Sequence, residues 1–196
     1  MGFLNINLGR AATFVYTDLA RLVCLTLASG MLTTAHAEVD EYAVKAAFLY
    51  KFGLFVEWPI TAFSSPDSPV NLCIVGEDPF GASLDAAVAG ELINGRNIVI
   101  HRLKTVERNS PCHILYVGGS EEQSPAEIIE AVRGSNILTV TDGAISSSGV
   151  INFVIADNRV HFAIDDEAAA QHGLIISSKL MGLALNVQRR VVKEEQ

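Results

Sequence analysis

Short apolar runs that alternate with helical segments are the feature that most constrains how this chain can fold. Each run is bounded by turn residues, as β-strands usually are. The four runs are VNLCIVG (70–76), RNIVIHRL (96–103), CHILYVGG (112–119) and NILTV (136–140). Helical patterns occupy residues 79–90 and 124–133. Strands that helices cover on both faces need apolar residues at successive positions. We therefore expect an α/β fold, with a central, mostly parallel sheet flanked by helices on both faces.

The pattern changes in the C-terminal part of the chain. The segment VINFVIADNRVHFAI (150–164) consists of two alternating runs around Asp157-Asn158, which is the composition of a hairpin turn. It predicts a C-terminal antiparallel hairpin at an edge of the sheet. Two further helices are expected after it, at residues 165–173 and 177–190.

An apolar run near the N-terminus has the features of an export signal. Basic residues precede the run LVCLTLASGMLTT (22–34), and AHA (35–37) has the small-x-small form that signal peptidase cleaves. The run is shorter than the roughly 20 residues that a membrane-spanning helix needs. We expect residues 1–37 to be a signal peptide cleaved near Ala37, and residues 38–196 to be a single exported domain. A retained membrane anchor is the alternative.

The charge of the chain limits its partners. It has 22 acidic and 14 basic residues and a net charge of −8. An acidic surface repels phosphate backbones and anionic lipid headgroups, so nucleic acid and membrane surfaces are poor partners. Proteins and small molecules remain as partner classes.

Motifs for catalysis or metal binding are missing from the sequence. The loops after residues 75 and 117 follow predicted strands, where α/β proteins bind nucleotides, but both are acidic and lack the glycine spacing of a phosphate loop. The histidines are scattered singly, without metal-binding spacing. We expect no catalytic residue, no metal and no cofactor. A catalytic triad assembled only by folding is the remaining enzymatic possibility.

Two cysteines, Cys73 and Cys112, remain once Cys24 leaves with the predicted signal peptide. In an oxidising compartment they favour a disulfide, and the alternative is two buried free thiols. Each lies in a predicted strand, and neighbouring parallel strands are about 4.8 Å apart, within reach of a disulfide.

The segment AVKAAFLYKFGLFVEWP (43–59) is unusually apolar for an acidic, exported protein. Twelve of its seventeen residues are apolar and five are aromatic. It predicts a helix over residues 38–58 that Pro59 ends. On a helical wheel, one stripe that contains Val44, Phe48 and Phe52 would cover the sheet.

Residues beside this stripe indicate a second contact surface on the helix. Lys45 and Lys51 interrupt the apolar pattern, Tyr50 lies off the stripe, and Trp58 lies at its border. We interpret Lys45, Tyr50, Lys51 and Trp58 as candidate partner-binding residues, because exposed aromatic and apolar patches are typical of interfaces. The alternative is a helix that is simply buried under the sheet.

Three segments of the chain resemble the YfiR family of exported bacterial proteins. They are YAVKAAFLYKFGLFVEWP, LCIVGEDPFG and INFVIADNRVHFAIDDEAAAQHGLIISSKLMGLA. Together they span nearly the whole predicted mature chain in the family's order.

The resemblance implies a periplasmic regulator rather than an enzyme, with an α/β fold and a homodimeric state. Members of this kind are understood to restrain a membrane-bound diguanylate cyclase by binding its periplasmic part, which lowers cyclic di-GMP and biofilm formation. An outer-membrane, peptidoglycan-associated lipoprotein sequesters them. A periplasmic small-ligand sensor, with a pocket at the strand ends, is the alternative function.

The resemblance also implies a pattern of disulfides. Cys73 and Cys112 fall where the family often has a bridged pair. Some relatives carry a second cysteine pair in the stretch corresponding to DGAISSSGVIN, and this chain has none there. Redox control through that second bridge is therefore not expected.

Overall fold

An eight-stranded sheet organises the residues that the structure, a computed structural model, describes: 36–143 and 149–190. The strands are β1 (Val56–Glu57), β2 (Val70–Gly76), β3 (Leu92–Ile93), β4 (Arg96–Leu103), β5 (Ile114–Gly119), β6 (Leu138–Asp142), β7 (Ile151–Ala156), β8 (Arg159–Asp165), β9 (Ile175–Ile176) and β10 (Asn186–Gln188). The helices are α1 (His36–Phe52), α2 (Ala82–Val88), α3 (Pro125–Ala131), α4 (Asp166–Gln171) and α5 (Ser178–Met181). A separate two-stranded sheet pairs β1 with β9.

The predicted signal peptide, residues 1–37, lies outside the described residues except for its last two positions. Among the helices that the structure describes, none combines the length and the apolar character needed to cross a membrane.

The large sheet has the strand order β10-β8-β7-β6-β5-β2-β4-β3. Its central strands run parallel, whereas β8 and β3 are antiparallel to their neighbours β7 and β4. The sheet is therefore mixed, and the prediction of a mostly parallel sheet needs this correction. Two-residue turns are the physical reason, because so short a connection can join only antiparallel strands. Both turns, at Asn94-Gly95 and Asp157-Asn158, have positive φ at each residue, as type I′ turns require.

The C-terminal prediction is confirmed only in part. The hairpin expected over residues 150–164 is present as β7 and β8. It does not form the edge, because β10 pairs in parallel with the other side of β8. The helix expected over residues 177–190 is wrong, since α5 ends at Met181 and the chain continues into β10. Strand pairing here satisfies backbone groups of β8 that a helix would leave unpaired, and this outweighs the local helical pattern.

Burial on both faces of the sheet explains the apolar strand runs. In β2, Leu72 and Ile74 belong to the core on the face that carries α1, whereas Cys73 and Val75 belong to the core on the face that carries α3. Strand β5 alternates in the same way. Helices α2, α4 and α5 contribute buried residues to the α1 face. Successive positions of β2 and β5 therefore pack into one core or the other.

A disulfide joins Cys73 to Cys112, with a Cα–Cα distance of 5.8 Å, so the predicted bridge is present. Both residues are buried in the core on the α3 face. Cys73 lies in the middle of β2, and Cys112 lies in the loop just before β5. The bridge therefore fixes the loop that enters β5 against the neighbouring strand.

We predict that Cys73→Ala and Cys112→Ala each lower the free energy of unfolding by about 3 to 4 kcal/mol, as the chain-entropy relation gives for a bridge between residues 39 positions apart. The double variant should resemble either single variant, because all three lose the same constraint. Urea unfolding of the purified proteins measures this. Reductant should destabilise the wild type and leave the double variant unchanged. A double variant as stable as the oxidised wild type would contradict the prediction.

Candidate functional site

Helix α1 ends at Phe52 rather than at the predicted Trp58. A 3-10 turn over Gly53–Phe55 follows, and the chain then enters β1. The backbone at Gly53 lies so close to the sheet that a Cβ there would be 2.8 Å from Cδ1 of Ile93. A residue with a side chain could not take this position without displacing its neighbours. Trp58 comes directly after β1 and not at the end of the helix. Its side chain is half-buried and packs edge-on to Phe63.

The structure separates the four candidate partner-binding residues. Lys45 and Tyr50 are buried, with exposed fractions of 2% and 5%, so the expectation that Tyr50 lies outside the core is wrong. Lys51 is exposed. Trp58 is half-buried, and its indole N–H has no hydrogen-bond partner among the described residues. Only Lys51 of the four is well placed to meet a partner without a structural change.

Lys51 shares the solvent side of α1 with residues outside the four candidates. We call this surface the outer face of α1, and it consists of Val44, Ala47, Phe48 and Lys51, continued by Leu54. These positions recur at helical spacing. Val44 and Leu54 are 37% and 41% exposed, while Ala47 and Phe48 are half-buried. The outer face is thus apolar apart from one lysine. The predicted core stripe is confirmed at Phe52, which is buried, and wrong at Val44, which is exposed; Phe48 is half-buried and packs against the core.

A buried charge network anchors α1 to the sheet. The Lys45 ammonium donates hydrogen bonds to Asp142 at 2.6 Å and to Glu41 at 2.5 Å. The Tyr116 hydroxyl donates to the same Asp142 oxygen at 3.5 Å. Asp142 is the last residue of β6, so the network lies at the carboxyl end of this strand.

The protonation of this network follows from its contacts. Burial by itself lowers the pKa of Lys45, but its hydrogen bonds to Asp142 and Glu41 outweigh burial, and the pKa lies above its ordinary value. Burial, together with the charge of Asp142, raises the pKa of Tyr116 well above its usual range. Lys45 is therefore charged and Tyr116 neutral at physiological pH. The rings of Tyr42 and Phe153 add cation–π contacts to the ammonium, at 4.9 Å and 5.9 Å from their centroids.

Sequence reasoning missed this network. The visible signal was a lysine in an apolar helix with Glu41 one turn before it, which is a spacing that pairs charges on any helix. The decisive partner, Asp142, is 97 positions away in the chain.

A second polar anchor lies at the amino ends of the strands. The backbone N–H of Asn71 donates to Nδ1 of His113 at 3.0 Å, and Nε2 of His113 donates to the carbonyl of Ala62 at 3.1 Å. Only the neutral ring with its proton on Nε2 satisfies both contacts. Burial lowers the pKa of His113, and the charge of Arg96 lowers it further. Phe63 stacks on this ring, with centroids 4.4 Å apart.

This anchor holds the loop between β1 and β2. The Arg96 guanidinium lies 3.9 Å from the centroid of Phe63 and donates to the carbonyls of Ser65 and Ser68. A cavity of about 440 Å³ opens beside it, at the amino ends of β2, β5 and β6. The small-ligand alternative predicts a pocket at the strand ends, and this cavity lies at their amino ends.

In the described part of the chain, no three His, Cys, Asp or Glu side chains are grouped as metal ligands would be. The Lys45 network joins one ammonium to two carboxylates, so its charges cancel only in part. The candidate site is the outer face of α1, which exposes apolar side chains to solvent.

The chain belongs to the YfiR/HmsC-like family, because the family's model matches residues 42–185. This family is regulatory rather than catalytic, and membership indicates a regulator in cyclic di-GMP signalling. A search of curated proteins returned no match.

We predict that Lys45→Met destabilises the fold by about 3 kcal/mol, the low end of the range for breaking a buried ion pair, since Asp142 keeps some contact with water. Urea unfolding measures the loss. The matched control is Lys51→Met on the exposed side of the same helix, which should change stability by less than about 0.5 kcal/mol. The double variant Lys45→Met/Asp142→Leu should recover part of the loss, because the more buried carboxylate of the network is removed and Glu41, which is 34% exposed, keeps contact with water. Equal stability of Lys45→Met and wild type would contradict an anchoring role.

We predict that stability falls as the pH drops below about 6.5, the ordinary pKa of histidine. The pKa of His113 is lowered in the folded state, so the unfolded chain takes up the proton first and acid favours unfolding. Burial lowers the pKa of His172 as well, so both residues contribute. Melting temperatures between about pH 7.5 and pH 5 measure the slope. His113→Gln should reduce the slope, and His113→Gln/His172→Gln should reduce it further. An unchanged slope in His113→Gln would refute this assignment.

Proposed function

We propose that the protein is a periplasmic negative regulator that binds the periplasmic part of a membrane-bound diguanylate cyclase and represses it. Repression lowers cyclic di-GMP and, with it, biofilm formation. The observation that carries the proposal is the family match over residues 42–185. The export signal expected over residues 1–37 supports the compartment.

The outer face of α1 is the docking surface in this proposal. An apolar helix face in contact with water costs free energy that a partner recovers by covering it. Lys51 makes no ion pair among the described residues, so it is available to an acidic group on the cyclase. The partner's surface should therefore be apolar with an acidic group beside it.

Release from repression requires a competitor for the regulator. We assign this role to an outer-membrane, peptidoglycan-associated lipoprotein, as the family resemblance implies. The regulator acts as a homodimer in this scheme. We expect the regulator to need no cofactor, since its proposed activity is binding.

We predict that Val44→Asp abolishes binding to the cyclase and raises cellular cyclic di-GMP to the level of a deletion strain. A charge on the outer face of α1 would have to be desolvated on docking. The matched control is Val99→Asp in β4, because Val99 is 39% exposed and Val44 is 37% exposed. Lys51→Glu should also weaken binding.

The measurement is capture of the tagged protein from detergent-solubilised membranes, release of the captured membrane protein from the regulator, and a diguanylate cyclase assay of the released material, because a cyclase still bound to the regulator would be repressed. Wild type and Val99→Asp should retain cyclase activity, and Val44→Asp should not. If Val44→Asp retains it, the docking surface is wrong. If wild type captures no cyclase activity, the proposed function is wrong. A change of oligomer size in Val44→Asp alone would assign the outer face to the homodimer instead.

A further inference from the structure

The cavity at the amino ends of β2, β5 and β6 is separate from the proposed docking surface. Its walls come from three loops, within residues 61–71, 108–113 and 135–137. Its volume of about 440 Å³ lies in the range of about 300 to 1,000 Å³ in which proteins bind small molecules.

The charge of this cavity is opposite to that of the chain. No Asp or Glu is among the described residues that line it, although the chain has 22 acidic residues against 14 basic ones. Arg108 lines it, and the Arg108 guanidinium makes no hydrogen bond or ion pair within the described chain. Glu130 is close enough to sense that charge, but its carboxylate is already paired with Arg133 at 2.7 Å. His113 adds no charge in its neutral form, so Arg108 sets the electrostatics of the cavity.

Internal hydrogen bonds hold the walls in place. Nδ2 of Asn71 donates to the carbonyl of Pro111 at 2.6 Å, and the Ser135 hydroxyl donates to the carbonyl of Arg108 at 3.0 Å. The disulfide at Cys112 fixes the same loop to β2. A ligand would therefore meet a preformed site and lose little affinity to the ordering of loops.

Other polar groups of the lining are unused. The side chains of Thr61 and Asn109 make no hydrogen bond with described residues. Asn136 donates its Nδ2 to the carbonyl of His172 at 3.0 Å, which leaves its Oδ1 without a donor from the described chain. Hydroxyl and amide groups pair with the hydroxyls of a ligand, and a guanidinium pairs with a carboxylate or a phosphate.

We propose that this cavity binds a hydroxyl-rich small anion of monosaccharide size, a sugar acid or a sugar phosphate. The anionic group pairs with Arg108, and the hydroxyls of the ligand pair with Thr61, Asn109 and Asn136. The described lining contains no Phe, Tyr or Trp ring, which favours a polyol over an aromatic ligand.

The test is titration of the purified, disulfide-bonded protein with glucuronate, glucose 6-phosphate and neutral glucose, monitored by backbone amide NMR. Either anion should shift the amides of Asn109, Ser110 and Asn136, and glucose should bind at least about tenfold more weakly, because it lacks the charge-assisted hydrogen bonds. Binding of glucuronate alone would identify the anionic group as a carboxylate, and binding of glucose 6-phosphate alone would identify it as a phosphate.

The matched variants are Arg108→Gln and Arg159→Gln, the second in the β7–β8 hairpin and outside the lining. Arg108→Gln should weaken binding of the anion by about tenfold or more, and Arg159→Gln should leave it unchanged. The proposal is overturned if neither anion shifts these amides, if glucose binds as tightly as the anions, or if Arg108→Gln binds as tightly as the wild type. Each of these results is independent of whether the protein binds a cyclase.

Discussion

Strands β2 and β5 have to be shielded from water on both faces of the sheet, and much of the described structure follows from this requirement. Their side chains pack alternately towards α1 and towards α3. Shielding one face takes a long apolar helix, and shielding the other takes a shorter helix together with a disulfide-bonded loop. The need to cover the sheet therefore accounts for part of the apolar character of α1. It does not account for the apolar residues on the outer face of α1.

Two polar anchors hold opposite ends of the sheet. At the carboxyl ends of β5 and β6, Lys45 and Asp142 form a buried pair. Such a pair contributes little net free energy against an apolar replacement, but it penalises any arrangement that leaves one charge alone. At the amino ends, His113 accepts and donates one hydrogen bond each. A cavity opens beside the second anchor.

An apolar helix face and a separate polar cavity suit a protein that acts by binding. The YfiR/HmsC-like family match assigns the chain to a class of regulators, and the structure provides an apolar helix face at which a regulator could meet a partner. The cavity lies elsewhere and has different chemistry. A small anion bound there would contact loops that the disulfide and His113 already hold in place. Because these loops are separate from the outer face of α1, anion binding and partner binding can be measured separately.

The sequence by itself determined the features that depend on local pattern. Apolar residues at successive positions indicated that β2 and β5 are buried on both faces, and Asp157-Asn158 indicated a hairpin because these residues tolerate positive φ. Only the tertiary structure decided that β10 replaces the predicted helix, that Tyr50 points inwards and that Lys45 meets Asp142. The physical reason is that each of these depends on contacts between segments far apart in the chain. Periodicity reports which side of a helix is apolar, but not which distant charge or strand edge will lie against it.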